Sequence, residues 1–131
     1  MKVTVTYREI LDALPSLDKL MLREFKPPAT PVKLAILHRI LTPVHQDIAT
    51  RREGIVMASA EKDEAGEIVW LDKERGTVTI TETMVALLKE LLDTTNEFDA
   101  PNIAPNDLEV AGGKPLTPAD LYTLVPFLKA D

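Results

Sequence analysis

The sequence predicts a mainly α fold (α+β), a helical hairpin or bundle built on one long bent helix, with a short N-terminal strand and a small β-hairpin. Three observations predict it. The middle of the chain carries an apolar seam at helical spacing, two other segments share that period, and short stretches alternate like strands. The 131 residues, 45% hydrophobic and 27% charged, have the composition of an ordinary globular domain. We therefore expect a single helical domain over residues 1–131.

Adjacent signals predict the N-terminal strand and the first helix. Lys2–Thr6 alternates β-branched residues, which favours a short strand. Thr6 and Glu9 have the spacing of a capping box, so a helix should begin at Tyr7. Its apolar residues recur by threes and fours, at Ile10, Leu11, Leu14, Leu17, Leu20 and Met21. Pro15 predicts either a kink or a second helix that starts there.

The long middle helix is the clearest feature of the sequence. Thr30 and Pro31 form a favourable N-cap and first-turn pair. The seam that follows consists of Leu34, Leu37, Leu41, Val44, Ile48, Arg51, Ile55 and Ala58. Pro43 removes one helical hydrogen bond, but the seam keeps its phase across it, so one bent helix is favoured over two. The seam needs a cover, and the chain's own helices are favoured over a second copy.

A hairpin and another helix are expected after the long helix. Residues 63–66 form a turn signal, and residues 67–71 and 77–81 flank a short polar loop, as in a β-hairpin. From Thr81 onward an amphipathic run predicts a helix with early acidic residues.

The C-terminal third is expected to be mostly extended. Residues 96–107 contain two prolines and several Asn and Asp residues, which predicts an extended surface segment. Thr117 and Pro118 then mark the start of a last helix. We expect it to dock through Leu121, Leu124, Val125 and Leu128.

Composition excludes several classes of protein. There is no cysteine, so a disulfide framework, a thiolate zinc site and a cysteine nucleophile are all excluded. Residues 1–9 lack the apolar run of a secretion signal, and no later run reaches the length of a membrane span. We expect a cytoplasmic protein with no membrane association.

No motif predicts catalysis, a cofactor or a metal. His38 and His45 lie seven residues apart, about 10 Å along a helix, whereas two ligands on one helix need a spacing of three or four. Gly112 and Gly113 precede Lys114, but Pro115 stands where a phosphate-binding loop needs Ser or Thr. We therefore expect no enzyme activity, no catalytic or cofactor-binding residues, no cofactor and no bound metal.

The two halves of the chain differ in charge. Residues 1–52 contain nine Lys and Arg against five Asp and Glu, a net charge of +4, whereas residues 53–131 contain six against sixteen, a net charge of −10. Basic residues in the first half are candidate partner-binding residues: Lys19, Arg23, Lys33, Arg39, Arg51 and Arg52. Arg51 has a second interpretation, an ion pair with the acidic helix after Thr81.

Four stretches of the sequence resemble a family of short uncharacterised proteins of tailed bacteriophages and prophages. They are residues 3–20, the long middle helix, residues 91–99 and residues 116–121. The resemblance implies a phage protein in a bacterial host cell, with a helical hairpin and a small β element, and it implies no activity.

Two hypotheses about function follow. The first is a non-enzymatic protein that acts through protein–protein interaction in phage morphogenesis. The second is a small regulator that binds nucleic acid or a host factor through the basic first half. Nucleic acid is disfavoured by the overall charge of −6, and a monomer is favoured over a homodimer. Pairing of the basic residues with the acidic half would favour the first hypothesis, and their clustering on one exposed face the second.

Overall fold

A computed structural model describes residues 1–129 of the chain. In chain order its regular elements are β1 (Lys2–Thr6), α1 (Tyr7–Leu20), α2 (Thr30–Ser59), β2 (Trp70–Asp72), β3 (Thr77–Val78), α3 (Glu82–Leu92), β4 (Thr95–Asp99), a 3₁₀ turn (Pro105–Leu108), α4 (Pro118–Leu121) and a 3₁₀ helix (Tyr122–Phe127). The predicted fold class, mainly α with an N-terminal strand and a small hairpin, is confirmed. Among residues 1–129, no helix has the length and apolarity needed to cross a bilayer.

The described chain divides into two compact units. The first unit comprises residues 1–45 and 95–129, and the second unit comprises residues 46–94. The first unit is therefore built from two segments that are far apart in sequence, whereas the second is continuous.

In the first unit, β1 pairs with β4 in an antiparallel ladder. Val3 lies opposite Phe98, and Val5 lies opposite Asn96. Val3 and Val5 are buried, so the predicted alternation of the N-terminal strand is correct. Residues 96–107 are not wholly on the surface as predicted, because Ala100 and Ile103 are buried. Residues 96–99 are extended as part of β4, but their pairing with β1 was not predicted. Asn and Asp are rare in strands, and the pairing with β1 overrides that local preference.

Helix α1 begins where its capping box predicts. The Thr6 hydroxyl accepts the Glu9 N–H, and Glu9 Oε1 accepts the Thr6 N–H in return. The helix continues through Pro15 to Leu20, so it is not divided into two helices. Ile10 and Leu17 are fully buried on its inner face, and burial on both sides of Pro15 offsets the hydrogen bond that the proline removes.

Helix α2 runs without interruption through Pro43, as its sequence predicts. A single chain buries Leu34, Leu37 and Leu41, and it also buries Ile48. Towards the end of the helix the predicted seam is wrong, because Ala58 is exposed. The first turn of α2 also differs from the prediction. Thr30 is the first helical residue, and its hydroxyl donates to the carbonyl of Asp107 instead of accepting a helical N–H.

The C-terminal α-helix is shorter than predicted. Helix α4 ends at Leu121, and the chain continues as a 3₁₀ helix to Phe127 because Pro126 cannot supply an α-helical N–H. Residues three apart share a face in such a helix. Leu124 and Phe127 are consequently buried, and Phe127 stacks on Phe98 with ring centroids 6.2 Å apart. Val125 was predicted to dock, but it is exposed.

The second unit has a small core of its own. Ala60, Val78 and Met84 are buried together, and Trp70 and Leu88 pack against them. Strands β2 and β3 form the predicted hairpin, which is shorter than expected and ends before Ile80. Thr81 caps α3 by accepting the N–H of Met84, and its own hydroxyl donates to the carbonyl of Ser59.

Candidate functional site

The candidate basic residues have different surroundings in the structure. Lys19 and Arg23 line one cleft. Lys33 forms an ion pair with the second half of the chain, and Arg51 forms an ion pair within its own helix. Arg39 and Arg52 are exposed. The first unit contains four of these basic residues and the second unit contains Arg51 and Arg52.

Lys19 and Arg23 line a cleft of ≈260 Å³ that also contains Asp120. Arg23 donates to the carbonyls of Lys114 and Gly112. Gly113 has a φ of +78°, and a Cβ there would lie 3.3 Å from the Arg23 guanidinium, so glycine suits this turn. Thr117 donates its N–H and its hydroxyl to Asp120 and, together with Arg23 and Lys19, lowers the pKa of that carboxyl. The carboxylate therefore offsets positive charge in the cleft.

Lys33 belongs to a network that joins the start of α2 to the 3₁₀ turn at Pro105–Leu108. Its ammonium lies 2.9 Å from the carboxylate of Asp107. That carboxylate also accepts the N–H of Ala104. The hydrogen bond from Ala104 makes the largest contribution to lowering the pKa of Asp107, and the interaction with Lys33 lowers it further. Thr30, fully buried, donates to the main-chain carbonyl of the same residue. The network fixes Lys33 to the acidic half of the sequence.

Arg51 does not have the partner that one interpretation of the sequence gave it. Its Nε lies 3.0 Å from Asp47 Oδ2, one turn earlier on α2, and both side chains are about half exposed. The prediction of an ion pair with the acidic helix after Thr81 is therefore wrong. Side chains four residues apart on a helix are neighbours, so the local pair forms without any long-range contact.

His38 is part of an arrangement that superficially resembles a catalytic triad. Its Nε2 lies 2.9 Å from Asp18 Oδ1, and its Nδ1 lies 3.4 Å from the hydroxyl of Thr42. That hydroxyl, however, donates to the main-chain carbonyl of His38, as threonine commonly does inside a helix. We interpret the three residues as a structural link between α1 and α2. Within residues 1–129, no three His, Asp or Glu side chains are grouped as metal ligands.

A different surface of the first unit has the features of a binding groove. It has a volume of ≈320 Å³ and is lined by Glu9, Asp12, Tyr122, Thr123, Val125 and Pro126. We call it the acidic groove. Tyr122 is 80% exposed and Val125 is 60% exposed, and their spacing of three places both on one face of the 3₁₀ helix.

Hydrogen bonds position the polar residues of the acidic groove. Thr123 donates to the hydroxyl of Ser16 on α1 over 2.7 Å, which ties the 3₁₀ helix to α1. Glu9 is held by the capping box, whereas the carboxylate of Asp12 has no ion-pair partner among residues 1–129. The groove thus offers an apolar floor and an open negative charge.

Sequence reasoning missed this groove because it assigned Val125 to the core. Pro126 was the available signal, since a proline near the end of a predicted helix favours a 3₁₀ turn and changes which residues face outward.

No family model, no curated protein and no solved structure matches the chain.

Proposed function

We propose that this chain is a non-enzymatic protein that binds other proteins in phage morphogenesis, in the cytoplasm of a bacterial host. The resemblance of its four stretches to phage and prophage proteins supports the setting. The acidic groove supports the mode of action, and the exposure of Tyr122 beside Val125 is the observation that carries it.

The side chains of the groove define the chemistry of the partner. Exposed apolar side chains grouped on one surface mark interaction sites, and tyrosine is common at the centre of protein interfaces. The partner segment should therefore bring an apolar side chain to Tyr122 and Val125. Asp12 and Glu9 favour a lysine or arginine beside it, because opposite charges steer association and fix register.

The engagement of the basic residues also supports a protein partner over nucleic acid. Lys33 is in an ion pair with Asp107, and Arg23 donates to two main-chain carbonyls. Phosphate binding would compete with these contacts, and the overall charge of −6 opposes it.

Two matched substitutions test the proposal. Val125 and Val32 are each 60% exposed, but only Val125 lines the groove. Tagged wild-type protein, Val125→Asp and Val32→Asp would be incubated with lysate of phage-producing cells, and captured proteins quantified by mass spectrometry. We expect a protein retained by the wild type and by Val32→Asp, and lost by Val125→Asp.

The captured protein would then be purified and its affinity measured by calorimetry. We expect the affinity to fall as salt rises, because Asp12 contributes an exposed charge. Equal retention by all three proteins, or retention that a nuclease abolishes, would contradict the proposal.

A further inference from the structure

Helix α3 of the second unit has two distinct faces. Met84 and Leu91 are buried on the inner face, and Leu88 packs against the small core. The opposite face consists of Glu82, Val85, Ala86 and Lys89, which are all exposed and follow the spacing of one helical stripe. We call it the outer α3 face. A shallow depression of ≈340 Å³ runs along it, bordered by Ile80, which is 74% exposed.

We infer that the outer α3 face binds the same face of a second copy of this chain, with the two helices antiparallel. This inference does not rest on the proposed function, because its residues belong to the other unit. A two-fold axis between Val85 and Ala86 would place Val85 of each copy against Ala86 of the other. Each Glu82 would then face Lys89 of the other copy, which gives two ion pairs with opposite charges.

The order of residues on this face singles out a second copy as the occupant. The stripe reads acid, apolar, apolar, base, so reversing its direction brings opposite charges together at both ends. A parallel pair would instead set Glu82 against Glu82 and Lys89 against Lys89, which is unfavourable. The small side chain of Ala86 permits close approach at the centre.

The size of the face sets the expected affinity. An eleven-residue helix is about 16 Å long, and one such face buries less than the roughly 1,200 Å² of a standard interface. We therefore expect a weak dimer with a dissociation constant on the order of 100 µM, about 5 kcal/mol of binding free energy.

Charge reversal provides the test. Sedimentation equilibrium of the full chain from about 10 µM to 1 mM would measure dissociation constants for the wild type, Glu82→Lys and Lys89→Glu. We expect each variant alone to dimerise at least tenfold more weakly, because like charges face each other at both ends. An equimolar mixture of the two variants should associate again, since every lysine then faces a glutamate. Both variants keep a net negative charge, so net charge alone would not bring them together.

A second pair of substitutions tests the apolar centre without reversing the terminal charges. Val85→Asp should abolish association, whereas Thr83→Asp, which is exposed on α3 but off the outer face, should leave it unchanged. Circular dichroism would verify that each variant keeps its helix, and Glu82→Gln with Lys89→Gln would replace any reversal that unfolds.

Four results would overturn the inference. They are a wild type that remains monomeric at about 1 mM, single reversals that leave the dimer intact, a mixture that fails to associate, and equal effects of Val85→Asp and Thr83→Asp.

Discussion

The two units of the molecule differ in how far apart in sequence their interacting residues lie. In the first unit, Met1 exchanges main-chain hydrogen bonds with Ala100, and the N–H of Lys26 donates to the main-chain carbonyl of Glu109. In the second unit, the small core is formed by residues of the hairpin, of α3 and of the end of α2, which all lie within residues 46–94. One short chain thus combines a unit formed by local contacts with a unit closed by long-range pairing.

The cores of the two units differ as well. The first unit buries many large aliphatic side chains and Phe127, whereas the buried apolar residues of the second unit are Ile48, Ala60, Val78, Met84 and Leu91. Burial of apolar surface is the main favourable contribution to folding. We therefore expect the first unit to supply most of the free energy of unfolding.

The largest expected effect tests this difference in cores. Leu41 is fully buried, so Leu41→Ala should lower the free energy of unfolding by about 2 to 5 kcal/mol through lost burial and a new cavity. Met84→Ala in the smaller core should cost less, about 2 kcal/mol. Urea unfolding monitored by circular dichroism would measure both, with Ile36→Ala, a half-exposed residue of the same helix as Leu41, as control.

The same experiment examines two further expectations. A single helical domain should unfold in one cooperative transition in every variant, and separate transitions for the two units would contradict it. The loss in Leu41→Ala should not depend on protein concentration, because a single chain buries Leu41. A variant as stable as the wild type would contradict the role of the seam.

An effect of intermediate size is expected where distant segments of the first unit meet. Asp107→Ala removes the acceptor for the Ala104 N–H and leaves Lys33 without its carboxylate, so we expect a loss of about 1 to 3 kcal/mol near neutral pH. Glu64→Ala, an exposed acid in a turn of the second unit, is the control and should change little.

The pH dependence of that loss follows from the lowered pKa of Asp107 in the folded state. The ionised carboxylate stabilises the fold above its ordinary pKa of 3.8, and this contribution disappears as pH falls through the lower folded value. The difference between wild type and Asp107→Ala should therefore be constant from about pH 5 to 7 and shrink below about pH 4. A difference that grows in acid would contradict the assigned contacts.

The features of the fold that depend on local contacts were predicted from the sequence, whereas a strand that depends on long-range pairing was not. The capping box at Thr6, the helix that follows Thr81 and the hairpin depend on neighbouring residues, and all three were predicted. Strand β4 was missed because its asparagine and acidic residues become a strand only through pairing with β1.

The candidate sites were predicted less well than the fold. A list of basic residues does not reveal that Lys33 meets Asp107, since 74 residues separate them. The acidic groove was missed for a local reason, the change from α to 3₁₀ geometry before Pro126, which turns Val125 outward.

The smallest expected effect concerns Arg51, whose charge interrupts the predicted seam. Its partner Asp47 is one turn away on α2, and both side chains are about half exposed, so water screens the pair. Arg51→Ala should lower the free energy of unfolding by about 0.3 to 0.5 kcal/mol at low salt, and by less at 1 M salt, where the Debye length is about 3 Å. Urea titrations at the two salt concentrations would measure this, with Arg52→Ala, an exposed neighbour, as the matched control. A loss above about 1 kcal/mol that persists at high salt would show that Arg51 stabilises the second unit through more than a local ion pair.

Because the expected cost is so small, Arg51→Ala leaves the fold intact, and the same variant also tests the nucleic-acid hypothesis. If Arg51 and Arg52 bound phosphates, each substitution would weaken retention on DNA-cellulose. It would also reduce the slope of log affinity against log salt concentration by about one. We expect neither wild type nor variant to be retained at physiological salt.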